Sequence, residues 1–250
     1  MSDPIEIDSP VPGLRHIILN KPERGNALGP DQVEALLDAL TDAASDYVHT
    51  VALSGNGKHF CTGFDLSDLS QQGDGDLLLR FVRIELLLAT IWQAPFRTVA
   101  LAKGRTWGAG ADLFAACDIR LALPETKFKF PGAGFGLVLG TRRLAERIGP
   151  DATKSCVLTG REMALTEAAT SGLVSDVLEA PSTFEDWLFA LPEPVVSPVT
   201  RTALFAAVRG GGPGSLEDHD LAALVRSAAR PGLRARMEAY AAGVGGSKRT

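Results

Sequence analysis

Short apolar runs alternate with stretches of helical periodicity along most of the chain, and that alternation sets the first expectations. Residues 13–19, Gly-Leu-Arg-His-Ile-Ile-Leu, predict a strand, and the Asn20-Lys21-Pro22-Glu23-Arg24-Gly25-Asn26 stretch after them a loop. Pro30 suits a helix start, with Val33, Leu36, Leu37 and Leu40 recurring at helical spacing behind it. A strand follows at 50–54, after which Gly55-Asn56-Gly57-Lys58 turns the chain toward His59. Strand, helix, strand in this order predicts a right-handed crossover and a parallel sheet.

Farther on, Asp65 is placed to cap a short helix with Asp68 in its first turn, and the polar stretch 70–76 reads as a mobile loop. Residues 77–93 predict a long helix that is apolar around much of its surface, hence buried by the core or by another subunit. Strands are expected at 97–102, 118–123 and 127–130, helices at 141–148, 151–158 and 162–170, and a last strand at 173–178. Beyond Pro181 the composition shifts to Ala, Leu and Arg. Pro192, Pro194 and Pro198 mark a boundary, Gly210 to Gly214 a hinge, and the tail predicts helices around 198–209, 215–229 and 231–242. This divides the chain into a core, 1–192, and a helical region, 193–250.

Composition narrows the function. With 250 residues and 45% hydrophobic content the chain can bury a large interior. A net charge of −5, with Lys and Arg dispersed, gives no footprint for nucleic acid but leaves room for a local pocket that takes a small anion. Cys61, Cys117 and Cys156 share no CxxC spacing and have no neighbouring histidine, so no disulfide framework or metal site is indicated and a reducing cytoplasm fits best. No apolar run reaches bilayer-spanning length, and the acidic, proline-broken start reads as untargeted, with no membrane partner. GxSxG and HExxH are absent, and in Gly134-Phe135-Gly136-Leu137-Val138-Leu139-Gly140 the third glycine falls one residue late for a dinucleotide loop.

The chemistry concentrates in 104–118, where Gly108-Ala109-Gly110-Ala111-Asp112 opens a helical pattern after the strand at 97–102. Gly63-Phe64-Asp65 has the same design: a glycine-bearing turn after a strand. Brought together, the N–H groups of Phe64 and Ala109 would point at one oxygen, as suits an enolate or a tetrahedral oxyanion. The plainer alternative is that these glycines serve tight turns. Asp112 is the carboxylate placed to move a proton there. A helix start favours its ionised form and burial among Trp107, Leu113 and Phe114 its neutral form; a simple capping role is the alternative. His59, Lys21, Arg24 and Lys58 stand in nearby loops, either as ligand contacts or as solvated side chains.

Three ordered stretches, residues 19–28 (Leu-Asn-Lys-Pro-Glu-Arg-Gly-Asn-Ala-Leu), 53–66 and 104–120, resemble the signatures of the enoyl-CoA hydratase/isomerase (crotonase) superfamily. The resemblance implies an α/β fold, the crotonase (ClpP-like) spiral of ββα units with a C-terminal helical region that helps form trimers, often paired into hexamers. It also implies an acyl-CoA substrate, with coenzyme A present only as part of it and no other cofactor. The thioester oxygen would be held by the amides of Phe64 and Ala109. The loop carrying Cys61, Thr62, Gly63, Asp65 and Leu66 resembles the segment along which the family lays the CoA adenine, with Arg24 near the phosphates. Trp107, Gly108 and Gly132 would border the acyl group, Trp107 and Phe64 being bulkier than the usual occupants.

The departures from the family concern acid–base chemistry. Hydratases of this family place glutamates at the positions matching Asp112 and Gly132, and simple isomerases use a glutamate at the latter. Aspartate at the Asp112 position resembles dienoyl-CoA isomerases, whose partner acids are here replaced by Gly132 and a shortened loop near Leu139-Gly140. The expectation is an enzyme acting through a thioester enolate with Asp112 as sole acid/base, a proton shift being favoured over hydration. The alternatives are a non-catalytic acyl-CoA binding protein and a thioester hydrolase using Asp112 or Glu85. Glu85 and Glu125 are the candidate stand-ins for the missing carboxylate.

Overall fold

The computed structural model describes residues 3–46, 48–181, 183–209 and 216–246. Its main sheet has the order β1 (Ile5–Asp8), β2 (Leu14–Leu19), β3 (Thr50–Gly55), β4 (Arg97–Ala102), β6 (Ile119–Ala122) and β9 (Asp176–Val177). Every pairing is parallel except β1 with β2. All six residues of β3 are buried, which is why that strand reads as a near-continuous run without polar alternation: both of its faces are covered. The crossovers are α1 (Pro30–Ser45) and α2 (Asp74–Trp92).

A smaller sheet, β5 (Arg105–Trp107), β7 (Lys127–Lys129) and β8 (Glu162–Ala164), stands beside the main one. Between β5 and β6 lies α3 (Ala109–Ala116), all eight residues of which are buried. Its Phe114 ring packs between Phe60 at 6.3 Å and Phe128 at 5.1 Å, joining the two sheets to the helix that carries Asp112. Truncating Phe114 to alanine is expected to cost about 3–5 kcal/mol by removing transfer energy and opening a cavity that rigid sheets cannot close. Urea unfolding measures it, and a loss below ~1 kcal/mol would remove Phe114 from this keystone role.

After β7 come α4 (Thr141–Ile148), α5 (Pro150–Thr159) and α6 (Leu165–Thr170), then α7 (Thr183–Phe189), α8 (Pro198–Arg209), α9 (Leu216–Ala228) and α10 (Leu233–Gly246). The tail helices α8, α9 and α10 fall where the sequence predicts them; the expected hinge at Gly210 to Gly214 lies outside the described residues.

Several expectations need correction. Residues 5–8 form an edge strand despite their acidic, proline-flanked setting, because β2 supplies the ladder. Asp65 caps no helix: its carboxylate accepts from the Ser67 N–H at 2.9 Å within a loop, and the short 3-10 turn starts later, at Leu69–Gln71. Nor is 70–76 a loop throughout, since α2 begins at Asp74. Gly73 N–H donates to Asp76 Oδ2 at 2.9 Å, and Asp74 accepts from the amides of Gly232 and Arg234 at 2.8 and 2.9 Å. Those last contacts come from a segment far along the chain and leave no local signal. Residues 162–164 are strand β8 instead of a helix start, through pairing with β7, and the strand expected at 173–178 shrinks to two residues.

Candidate active site

Two short bridges bring the two glycine segments together. Cys61 pairs with Thr106 and Leu28 with Phe64, both in parallel sense. The Trp107 amide donates to the Cys61 carbonyl at 3.0 Å, and the Leu28 amide to the Gly63 carbonyl at 2.7 Å. Gly63, at φ +101°, has no room for a side chain: a Cβ there would lie 2.8 Å from the Trp107 carbonyl oxygen and 3.4 Å from the Ala109 nitrogen. Gly108, at φ 52° and ψ −131°, takes a conformation open to glycine alone, which turns β5 into α3.

The outcome is two bare donors on adjoining segments. Among the described residues the amides of Phe64 and Ala109 have no backbone or side-chain acceptor, whereas their neighbours do: Asp65 N–H donates to Leu28 O, Gly108 N–H to Lys129 O, and Ala111 and Asp112 N–H to Gly108 O. At a helix start such donors are left over by geometry.

A cavity of about 300 Å³ opens beside them. Thr62, Gly63, Phe64, Leu66, Trp107, Gly108, Ala109, Asp112 and Gly132 line it, as the sequence suggests. Arg24, Cys61 and Asp65 do not. Cys61 is buried in the core, which pushes its thiol up to about 12; it serves the site through its carbonyl. Arg24 donates to Asp65 Oδ2 at 3.0 Å and Ser67 Oγ at 2.7 Å on the outer side of the loop. Burial opposes ionisation of Asp65, but the Ser67 hydrogen bonds and the Arg24 pairing hold its carboxyl below the usual range. His59 is tied down as well, its Nδ1 accepting from the Arg105 amide at 3.0 Å.

Much of the cavity wall has no local sequence signature. Phe81 of α2 stacks on the Phe64 ring at 4.5 Å, and the Arg80 guanidinium covers that ring from 3.9 Å while donating to the Asp65 carbonyl at 2.8 Å. Phe135 meets Tyr240 of α10 at 5.4 Å, and Met237 and Ala241 complete that side. The helical tail therefore closes over the chain's own cavity, which spacing across more than a hundred residues cannot announce.

Asp112 is 7% exposed, lines the cavity and, among the described residues, has no hydrogen-bond partner for its carboxylate. Burial raises its carboxyl well above the ordinary aspartate range; the negative charge of Glu85 adds to this and Arg143 opposes it. Neutrality wins over the helix-start effect because the group is desolvated on all sides. Neither candidate stand-in reaches the cavity. Glu85 is 1% exposed and pairs with Arg143 at 2.7 Å, and Glu125 lies exposed in the turn between β6 and β7. At Gly132, a turn residue of the cavity wall, no side chain is present. Among the described residues no group of His, Cys, Asp and Glu could hold a metal ion, and no helix is long and apolar enough to cross a membrane.

A parallel sheet with helical crossovers, a second small sheet and paired bare amides facing an apolar cavity define a class of acyl-handling α/β protein. The sequence model of the enoyl-CoA hydratase/isomerase family matches residues 12–207, and the chain belongs to that family, with its crotonase fold. It is 42% identical to an enoyl-CoA hydratase/isomerase of Bordetella parapertussis, whose crystal structure superposes with a TM-score of 0.91 over 96% of this chain and 99% of that one. The enoyl-CoA hydratase domain-containing protein 3, mitochondrial, of Danio rerio is 34% identical over 66% of this chain, and protein 2 of the same description from Homo sapiens 33% over 66%. The matches span 58% and 59% of those two relatives' lengths. An enoyl-CoA hydratase of Bacillus halodurans, 24% identical, shares the fold with a TM-score of 0.80 over 94% of this chain and 99% of that one.

Proposed function

We propose that this family member processes an acyl-CoA by holding its thioester oxygen on the amides of Phe64 and Ala109 while Asp112 moves a proton, so that a double-bond shift is favoured over hydration. The observation that carries the reading is the pair of unpartnered amides beside a cavity with one carboxyl group. As an α- or γ-proton leaves, negative charge grows on the thioester oxygen. Two fixed N–H donors stabilise that charge without reorganising and without giving up a proton. The apolar walls strengthen the effect by excluding water.

Hydration needs a group that activates water and a second that protonates carbon, and Gly132 leaves the second position without one. A single carboxylate suffices for a shift: it takes the proton from one carbon, becomes neutral, and returns it to another. The raised carboxyl of Asp112 suits this cycle, because a weaker acid is a stronger base.

The test is turnover of a 3-enoyl-CoA in heavy water, with proton NMR following both double-bond position and deuterium entry. Shift with exchange and little hydroxyacyl product is the expected result. Binding without exchange would leave the non-catalytic reading, which Gly132 favours, and release of free CoA would turn it to hydrolysis. The pH profile is a second check. Only ionised Asp112 abstracts a proton, and its ionised fraction grows with pH up to its raised value. Hence kcat/KM is expected to climb through the neutral range instead of levelling off near about pH 5 as for an ordinary carboxylate. A flat profile across that range would remove Asp112 as the base.

A further inference from the structure

Glu85 and Arg143 form a fully buried ion pair in the layer behind the cavity, at 1% and 0% exposure. Such a pair is poorly explained as a stabilising device: desolvating two charges costs as much as their attraction returns, and apolar replacements of similar size are often as stable. The cost is higher here because Glu85 Oε2 and Arg143 Nε and Nη1 have no partner among the described residues. What sets the pair apart is its address. Gly140, directly before α4, packs on the Asp112 carboxyl so closely that a Cβ would lie 2.4 Å from Oδ1. Arg143 stands one turn into that helix and reaches Glu85 on α2, so α3 with Asp112 is flanked by the two members of the pair.

We propose that the buried Glu85–Arg143 pair is a positioning device for Asp112, acting on its carboxyl electrostatically through the packed α2, α3 and α4 layer while touching no substrate. The inference rests on Asp112 being the reacting group. The charged groups around Asp112 are Glu85 from α2, Arg143 from α4 and, from the cavity side, Lys129 of β7. Behind Arg143, Asp220 of α9 lies 3.4 Å from its Nη2, but Asp220 and Glu217 are both engaged by Arg142 at 2.8 Å. Glu85 is therefore the negative charge that bears on Asp112 most directly, and it favours the protonated acid. Arg143 tempers Glu85 and keeps it ionised in a dry layer: burial pushes the Glu85 carboxyl up, and the Arg143 hydrogen bond pulls it back.

The test titrates the Asp112 carboxyl by carbon-13 NMR in the full chain, the resonance being assigned as the one missing in Asp112→Asn, and needs no substrate. Glu85→Gln removes the negative neighbour and leaves Arg143 unopposed, so the midpoint is expected to fall by about one pH unit or more. The double variant Glu85→Gln/Arg143→Gln avoids stranding a buried cation, so it keeps the test available if the single variant fails to fold. Its midpoint is also expected to fall, by less. Midpoints that stay put in folded variants, with only the melting temperature lowered, would reduce the pair to a structural role and overturn the proposal. Where turnover exists, the kcat/KM profile should move with the titration while KM holds. A moved titration in a protein without turnover would uphold the pair's effect on Asp112 and defeat the catalytic reading instead.

Discussion

Asp112→Asn is expected to cut turnover by about 10²- to 10⁴-fold, the usual worth of a positioned acid–base group, while acyl-CoA binding changes little. The amide keeps the shape of the carboxyl and the two oxyanion donors remain, so affinity survives and proton movement does not. The same variant is expected to be more stable than the native chain at neutral pH. The folded-state carboxyl is raised by burial, so between the unfolded and folded values the native state binds the proton that the unfolded state has released. Asp112 therefore favours folding fully only below the unfolded value. That contribution is lost as pH rises toward the folded value, leaving a net cost at neutrality. A neutral amide escapes the cost. Turnover assays, isothermal calorimetry with an acyl-CoA and thermal unfolding read the three quantities. Loss of turnover with lowered stability would mean that Asp112 holds the fold instead of working at a desolvated site.

Gly110→Ala is the second large effect, and it acts on the oxyanion donors. A Cβ at this position would lie 2.3 Å from the Cys61 carbonyl oxygen and 2.7 Å from the Cys61 Cβ, both in a region without flexible ends. Because Gly110 is helical, the conflict is one of space and not of backbone conformation. Relief requires α3 to move away from the 61–64 segment, which separates the Ala109 amide from that of Phe64. Overpacking of this kind costs roughly 1–3 kcal/mol. Loss of one donor's alignment is expected to lower kcat by about 10²-fold or more. Folded protein with native kcat would show that the two amides do not act on one oxygen.

The local part of the fold was legible because its causes are local. The apolar runs of β3 and β4, the helical spacing of α1 and the positions of α8, α9 and α10 follow from which side chains must leave water, and the structure keeps them within a few residues. Strands β1, β5 and β8 were not legible: each is short and gains its identity from a partner's open ladder, not from its own pattern. The same division runs through the site. Gly63, Phe64, Gly108, Ala109 and Asp112 stand out because a glycine at a strand end and an acid at a helix start are visible in the chain itself.

Arg24, Cys61 and Asp65 line up in the same motif, yet the fold turns them away from the cavity: Cys61 into the core, Asp65 toward Arg24. Glu85 and Glu125 were indistinguishable as spare carboxylates on the page. The structure buries one against Arg143 and leaves the other in solvent. By itself, then, the sequence determined the two donor segments, the lone acid and the missing second one, since each depends on residue identity at fixed local spacing. Only tertiary structure decided that the donors share a cavity, that α10 closes it and that Asp112 is dry enough to hold its proton. Those outcomes depend on contacts between segments far apart in the chain, whose desolvation no local pattern encodes.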